Sequence, residues 1–313
     1  MYRMVGISAL LHLLVDGLCV CSLYLIASSF PMSRLVGIFL TYNILAFLTQ
    51  PLTGLLADKV ERKHWLLLTS VLLLTLAVLT TSVVMRIGTS AIGIILVAIL
   101  LGMGNSFFHV WGGKQVAIKT GNDIRALGVF VSTGAFGLAI GFVFFSWPML
   151  YVCLLLICLL AVAYLQNDSE AKTTQEMREH QFSSLFIWLA VIGLMVAVLL
   201  RSFVGEAFTI GITRSSTLVL MIGATSMLGK MAGGWLVREL GIVKMLLVVV
   251  LVAMASYICK DYGLALLLIG LFAVNCTMPL TLYLANLVLP GREGLAFGLL
   301  AAALIPGYLL ATL

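Results

Sequence analysis

Eleven apolar stretches, each about long enough to cross a bilayer, fill this chain: residues 4–26, 34–56, 64–84, 90–117, 124–146, 148–165, 183–211, 217–237, 243–259, 263–289 and 293–313. A hydrocarbon core about 30 Å thick takes about 20 helical residues. Apolar residues make up 62% of the chain and mean hydropathy is +1.19. A soluble domain has no interior large enough to hide that much apolar surface. The runs are unbroken, whereas strands of a transmembrane barrel alternate apolar and polar residues. The reading is therefore an all-α, polytopic membrane protein, because a helix satisfies its own backbone hydrogen bonds in lipid.

Only 10% of residues are charged, and most fall between the stretches. Lys59, Arg62, Lys63, Lys119, Arg125, Lys172, Arg178, Arg238, Lys244 and Arg292 lie in every second connection. The alternate connections hold only Arg34, Arg86, Arg214 and Lys260. The richer side is expected in the cytoplasm, and the N-terminus with it. A multi-pass protein of a bacterial inner (plasma) membrane is the expected localisation. The formal net charge of +6 then reflects topology, and no basic patch outside these loops points to nucleic acid. The first stretch does not read as a cleaved signal, since His12 and Asp16 interrupt its apolar core. The six cysteines lie in apolar stretches without metal-type spacing and read as packing residues.

The longest polar stretch, 166–181, divides six helices from five. The expected organisation is an N-terminal bundle over 1–165, a cytoplasmic linker over 166–182 and a C-terminal bundle over 183–313. The halves echo each other. Gly54-x-Leu56-x-Asp58 returns as Gly234-x-Leu236-x-Arg238, and Gly121…Gly128 returns as Gly291…Gly298. A duplicated six-helix unit is the usual build of secondary transporters, with the substrate site between the halves near the midplane. The duplication predicts twelve helices against the eleven found, so either the last is missing from this sequence or the second half is shortened.

The ionisable residues inside the stretches are the candidates for chemistry, because charge in lipid is costly. His12 and Asp16 are four apart and share a helix face, about 6 Å apart in rise. Desolvation can bring such a carboxyl toward neutral pH, where it can carry a proton. His109 sits at a similar depth and titrates near neutrality by nature. The bland alternative for all three is a hydrogen-bonded packing role. Arg201 and Glu206 are five apart, with Gly205 as a possible break, and suit a charge pair or a substrate contact. Asn275, Thr277, Thr281 and Asn286 surround Pro279, a pattern that suits substrate hydrogen bonding, a hinge or interhelical bonds. Lys114 is either an anion contact or a snorkelling surface lysine. Gly229-x-x-x-Gly233 and Gly137-x-x-x-Gly141 read as close-packing faces.

The charged knot Gly54-Leu55-Leu56-Ala57-Asp58-Lys59-Val60-Glu61-Arg62-Lys63 resembles the loop signature of the major facilitator superfamily between its second and third helices. Glu61 replaces the expected glycine. Four further stretches are similar to the fosmidomycin-resistance branch: His12 to Asp16, Thr49 to Gly54, Gly102 to His109 and Leu289 to Ala296. Val110 stands where that branch commonly has proline. Arg238, with Glu239 after it, stands where its second-half loop has an acid. The fifth helix keeps Gly134, Gly137 and Gly141, similar to an antiporter glycine motif, but without its proline.

The resemblance implies two bundles rocking about a cavity lined by the first, fourth, seventh and tenth helices. It also implies a conformational gate built from Gly54, Asp58, Arg62 and Lys63. There Asp58 would approach a helix N-terminus or Arg125. The expected function is proton-coupled export of a small polar or anionic compound or drug. Asp16, His12 and His109 would couple protons. Arg201, Glu206, Lys114, Asn275 and Thr277 would touch substrate. The chain would act as a monomer without a cofactor. Uptake symport of a metabolite, and a transporter-derived sensor or inactive paralogue, are alternatives. An intramembrane enzyme holding zinc on His12, Asp16 and His109 is another, although no HExxH pair or nucleophile motif accompanies them.

Overall fold

The structure, a computed structural model, describes residues 2–30, 32–60, 64–87, 91–167, 183–210 and 215–312. Arg62, Lys63, Arg214 and most of the expected linker lie outside the described residues. The first half comprises α1 (Tyr2–Ala27), α2 (Met32–Asn43), α3 (Gln50–Lys59), α4 (Trp65–Ile87), α5 (Ala91–Lys119), α6 (Ile124–Val143) and α7 (Pro148–Asn167). The second comprises α8 (Ser184–Thr209), α9 (Ser216–Leu240), α10 (Ile242–Ile258), α11 (Leu264–Cys276), α12 (Met278–Val288), α13 (Glu293–Ala302) and α14 (Leu304–Thr312). Nine spans among the described residues are long and apolar enough to cross a membrane, and Pro148–Tyr164 and Ile242–Ile258 are shorter apolar helices. Large apolar side chains such as Leu52, Ile92, Trp188 and Val243 stand on the outside, as lipid permits and water does not. The chain is a multi-pass, all-helical membrane protein.

Three spans that read as continuous in the sequence are broken. α2 and α3 are joined through a π-helical turn, Ile44–Leu48. Pro51 stands in the first turn of α3 and has no N–H to offer the carbonyls one turn back. Side chains supply the missing donors: Thr49 Oγ1 to Leu45 O at 2.6 Å and Gln50 Nε2 to Ala46 O at 2.6 Å. α11 and α12 part at Thr277, ahead of Pro279, and α13 and α14 part at Ala303, ahead of Pro306. Breaks of this kind at membrane depth are tolerated where the backbone is buried in protein or lines a cavity.

Within the first half α1 packs along α6, and α4 along α5. Small residues permit this. A Cβ on Gly137 would meet the backbone of Leu13, and one on Gly141 the backbone of Gly17. Gly229 and Gly233 do the same for α9 against Phe272 and Cys276 of α11. Two further seams join the halves, α3 with α13 and α6 with α9. Here the internal repeat becomes geometry. Gly54 lies against the backbone of Gly294 and Leu295, and Gly234 against the backbone of Ile124 and Arg125. Gly298 lies against Gln50, and Gly128 against the carbonyls of Lys230 and Met231. Gly121 and Gly291, the leading members of the second repeat, both have positive φ, at 60° and 76°. Gly54 and Gly298 thus serve one seam between the halves, and Gly234 and Gly128 serve its counterpart.

Candidate functional site

Asp16 lies midway along α1 with His12 one turn before it. α6 approaches so closely that a Cβ on Gly134 would strike His12 Nε2 and Asp16 Oδ2. α5 brings His109 to the same carboxylate. The distances are 3.3 Å from His12 Nε2 to Asp16 Oδ2 and 3.5 Å from His109 Nε2 to Asp16 Oδ1. Asn105, one turn before His109, donates from Nδ2 to Asp16 Oδ1 at 3.0 Å. All four residues are buried.

The tautomers follow from the acceptors. His12 Nδ1 is 2.7 Å from Phe130 O, and His109 Nδ1 is 3.0 Å from Asn105 O. A carbonyl can only accept, so both Nδ1 atoms carry hydrogen. A neutral ring then turns a bare Nε2 lone pair toward the carboxylate, which is repulsive. Each Nε2···Oδ contact becomes attractive when a proton lies between the two atoms. The cluster therefore offers two seats for exchangeable protons around one carboxylate.

His12, Asp16 and His109 line a central cavity of about 330 Å³. Tyr24, Phe39, Tyr42, Phe47 and Phe297 give it aromatic walls, and leucines from both halves complete them. Two cations share the cavity, Arg201 from α8 and Lys230 from α9. Neither makes an ion pair among the described residues, and Arg201 Nη1 is buried without any hydrogen-bond partner. Lys230 shares the cavity lining with both Arg201 and Asp16. Three donors from His12, Asp16 and His109, all within 4.8 Å of one another, match a metal-ligand set by spacing alone. Two unpaired cations in the same cavity repel a divalent ion, so the donor set suits protons better than a resident metal.

The other candidates fall elsewhere. Lys114 is not at the cavity. Its Nζ donates to Ala57 O at 2.6 Å and stands 3.3 Å from Asp58 Oδ1, because α5 carries it toward the end of α3. Asn275 donates to Leu271 O at 2.8 Å and to Ser226 Oγ at 3.5 Å, and Thr277 donates to Val274 O at 2.9 Å. Both are satisfied by neighbouring helix backbone and neither lines the cavity, whereas Thr281 does. Glu206 also lies outside the lining. Lys230 lies inside the Gly229-x-x-x-Gly233 packing pattern, which masks its charge in the sequence. A lysine within an apolar span was signal enough to find it.

At one end of the molecule Asp58 closes the seam between α3 and α13. Its Oδ1 accepts from Gly294 N at 3.0 Å and its Oδ2 from Leu295 N at 2.8 Å. These are first-turn N–H groups without helical partners, where the helix dipole favours an anion. Asp58 thus meets the N-terminus of α13. Arg125 instead turns its guanidinium onto Asp123 in its own loop, at 3.1 and 2.6 Å. That hydrogen bonding holds the Asp123 carboxyl below its ordinary range, and the charge of Arg238 adds to the effect. The lining beyond Asp16 runs through Val20, Leu23 and Tyr24, so the cavity extends toward the end opposite the Asp58 seam.

A polytopic helical protein built round a cavity of this kind belongs among the membrane transporters. Residues 5–312 match the model of the Major Facilitator Superfamily, and the chain belongs to that family. Its fold is similar to the outward conformation of the transporter FucP, with TM-score 0.64 and 15% identity over 97% of this chain and 90% of that one. A variant of the E. coli fucose:proton symporter FucP gives TM-score 0.68 at 13% identity, covering 100% and 90% of the two chains. A bacterial homologue of the iron transporter ferroportin, in an outward-facing state, gives 0.67 at 14%, covering 99% and 91%. No curated protein sequence matches the chain.

Proposed function

We propose that the chain moves a small organic anion across the membrane together with protons, by alternating access between its two bundles. The observation that carries this reading is the pairing, in one cavity, of two unpartnered cations with a proton-holding cluster. An anion supplies the charge that Arg201 and Lys230 lack. Protons seated between Asp16 and the two histidines lie in the same low-dielectric space. Opposite charges in one cavity strengthen each other's binding. Anion and proton therefore load together and leave together, which is co-transport.

The resemblance to the fosmidomycin-resistance branch implies export, with protons moving against the compound. Exchange of that kind needs proton and cargo to compete, as a cation would compete with the proton. The charge arrangement favours the symport alternative, with the proton gradient drawing the anion inward. Loop charges support placing the Asp58 seam in the cytoplasm of a plasma membrane. One chain holds every residue of the cavity and can work as a monomer.

The deciding experiment uses purified protein in proteoliposomes with a pH dye inside and benzoate and fosmidomycin as trial anions. Acidifying the outside should drive anion uptake and acidify the lumen, and Asp16→Asn should lose the response to the gradient. Lumen alkalinisation on anion entry would instead establish exchange. No flux of either ion, with folded protein verified, would favour the sensor or inactive paralogue.

A further inference from the structure

Of the residues that line the cavity, Gln50 and Arg201 alone hold a buried polar atom without a hydrogen-bond partner among the described residues. The two atoms have opposite chemistry. Arg201 Nη1 is a donor. Gln50 is fully buried, and its Nε2 donates to Ala46 O at 2.6 Å. The amide nitrogen is thereby fixed against a carbonyl, and the atom left over, Oε1, is an acceptor. The π-helical turn before Pro51 sets this orientation, since it creates the demand at Ala46 that the side chain meets. An unmet buried acceptor is costly, and one on a residue of the cavity wall is offered to whatever enters the cavity.

The positions are as telling as the chemistry. Gln50 belongs to α3 of the first half and Arg201 to α8 of the second. A ligand that satisfies both spans the two bundles and senses their relative movement. The walls between are aromatic and aliphatic, with Phe47 three residues before Gln50 and Phe297 on α13. Asn43 and Thr281, also on the lining, already donate to Phe39 O and Met278 O, and Tyr24 and Tyr42 bring the remaining hydroxyl groups.

We infer that Gln50 is a specificity residue for an amphipathic organic acid: its Oε1 accepts from an O–H or N–H on the ligand's apolar body, while the acid group meets Arg201 and Lys230. The inference rests on the anion reading above and adds the second recognition point. The ligand class is an aromatic acid bearing a hydroxyl or amine.

The test measures binding of benzoate, 4-hydroxybenzoate and 4-methoxybenzoate to the purified full chain by calorimetry. In the wild-type protein the hydroxyl compound should bind about 5- to 10-fold more tightly than benzoate, while the methoxy compound, which can only accept, gains nothing. In Gln50→Met the preference should collapse to within about 2-fold, with an unchanged circular dichroism spectrum and a monodisperse gel-filtration peak as the sign of a folded chain. Equal wild-type affinities for benzoate and 4-hydroxybenzoate would mean that Oε1 meets only water, and would overturn the inference while leaving anion binding standing. A preference that survives in Gln50→Met would also overturn it. If none of the three acids binds, this inference and the organic-anion reading fall together.

Discussion

A charged side chain near the middle of a span costs about 2.5–3.5 kcal/mol on insertion scales, so each one is either compensated or kept for use. Asp16 is compensated by His12, His109 and Asn105; Asp58 by two backbone N–H groups and Lys114. Arg201 and Lys230 are compensated by nothing among the described residues, and that is what marks them for an anion. Replacing either with Met should therefore leave folding intact or improve it. Anion binding should fall at least tenfold, because one lost charge-assisted hydrogen bond is worth about 1.5–3 kcal/mol; calorimetry with benzoate checks both variants. Asp16→Asn makes a different prediction. It should stop accumulation driven by a pH gradient yet permit exchange of labelled for unlabelled anion, since the cations remain. If exchange dies as completely as accumulation, Asp16 belongs to anion binding or folding and not to coupling. Asp16, His109 and Arg201 were legible in the sequence because lipid penalises ionisable residues wherever they point, whereas Lys230 was masked by the packing glycines around it. Which of the polar ones face the cavity was not legible. Asn275 and Thr277 spend their donors on carbonyls three or four residues back, an option open to any such side chain in a helix.

At the scale of helices, the repeated glycines define where the halves meet. The repeat itself was readable, but its meaning depended on which helix end lies opposite. Gly54 and Gly234 each face the first turn of a helix in the other half, α13 and α6. The two seams differ in charge. At the first, Asp58 crosses over to cap α13. At the second, Asp123 caps α6 from its own loop, accepting from Arg125 N at 2.9 Å, and Arg238 stands where an acid would cross over. The basic residue that departs from the expected pattern is thus matched by an acid on the opposite side. Gly54→Val should hold the α3–α13 seam apart, because the obstacle is backbone and cannot move aside. Asp58→Asn is milder, removing about 1–2 kcal/mol of dipole and ion-pair attraction and shifting the closed population by about tenfold. Cysteine labelling from the Asp58 end reads both effects. Asp123 supplies the pH control. Its carboxyl is held below the ordinary range, so its contribution is present above about pH 4 and is lost only as pH falls through the depressed value. Between pH 5 and 8, Asp123→Asn should not alter the shape of the transport profile, whereas Asp16→Asn should flatten it.

For the molecule as a whole, the fold class was legible because span length and hydropathy are set by the bilayer, and the family because its loop signature survives in Gly54, Asp58 and Lys59. The three helix breaks were not, since proline marks a weak point without saying whether the backbone kinks, bulges or stays straight. Those breaks matter to the whole, because α3, α12, α13 and α14 bring Gln50, Thr281, Phe297 and Leu304 to one cavity that both halves share. A shared cavity makes coupling a question of sign. Unit charges about 6–10 Å apart at an effective dielectric constant of about 20 interact by about 2–3 kcal/mol. A proton gained by the Asp16 cluster removes one negative charge from the neighbourhood of the anion, and the anion in turn favours that proton. Linkage requires the two effects to be equal. Benzoate should therefore bind the wild-type chain about tenfold or more tightly as the cluster loads on going from pH 8 to pH 6, with protons taken up from buffer on binding. Running the same titration in buffers of different ionisation enthalpy counts those protons directly. Uptake of about one proton per anion, absent in Asp16→Asn, is the result that co-transport requires. Proton release on binding would mean that cargo and proton compete for the cluster, and the chain would then be an exchanger, as its resemblance to an export branch implies.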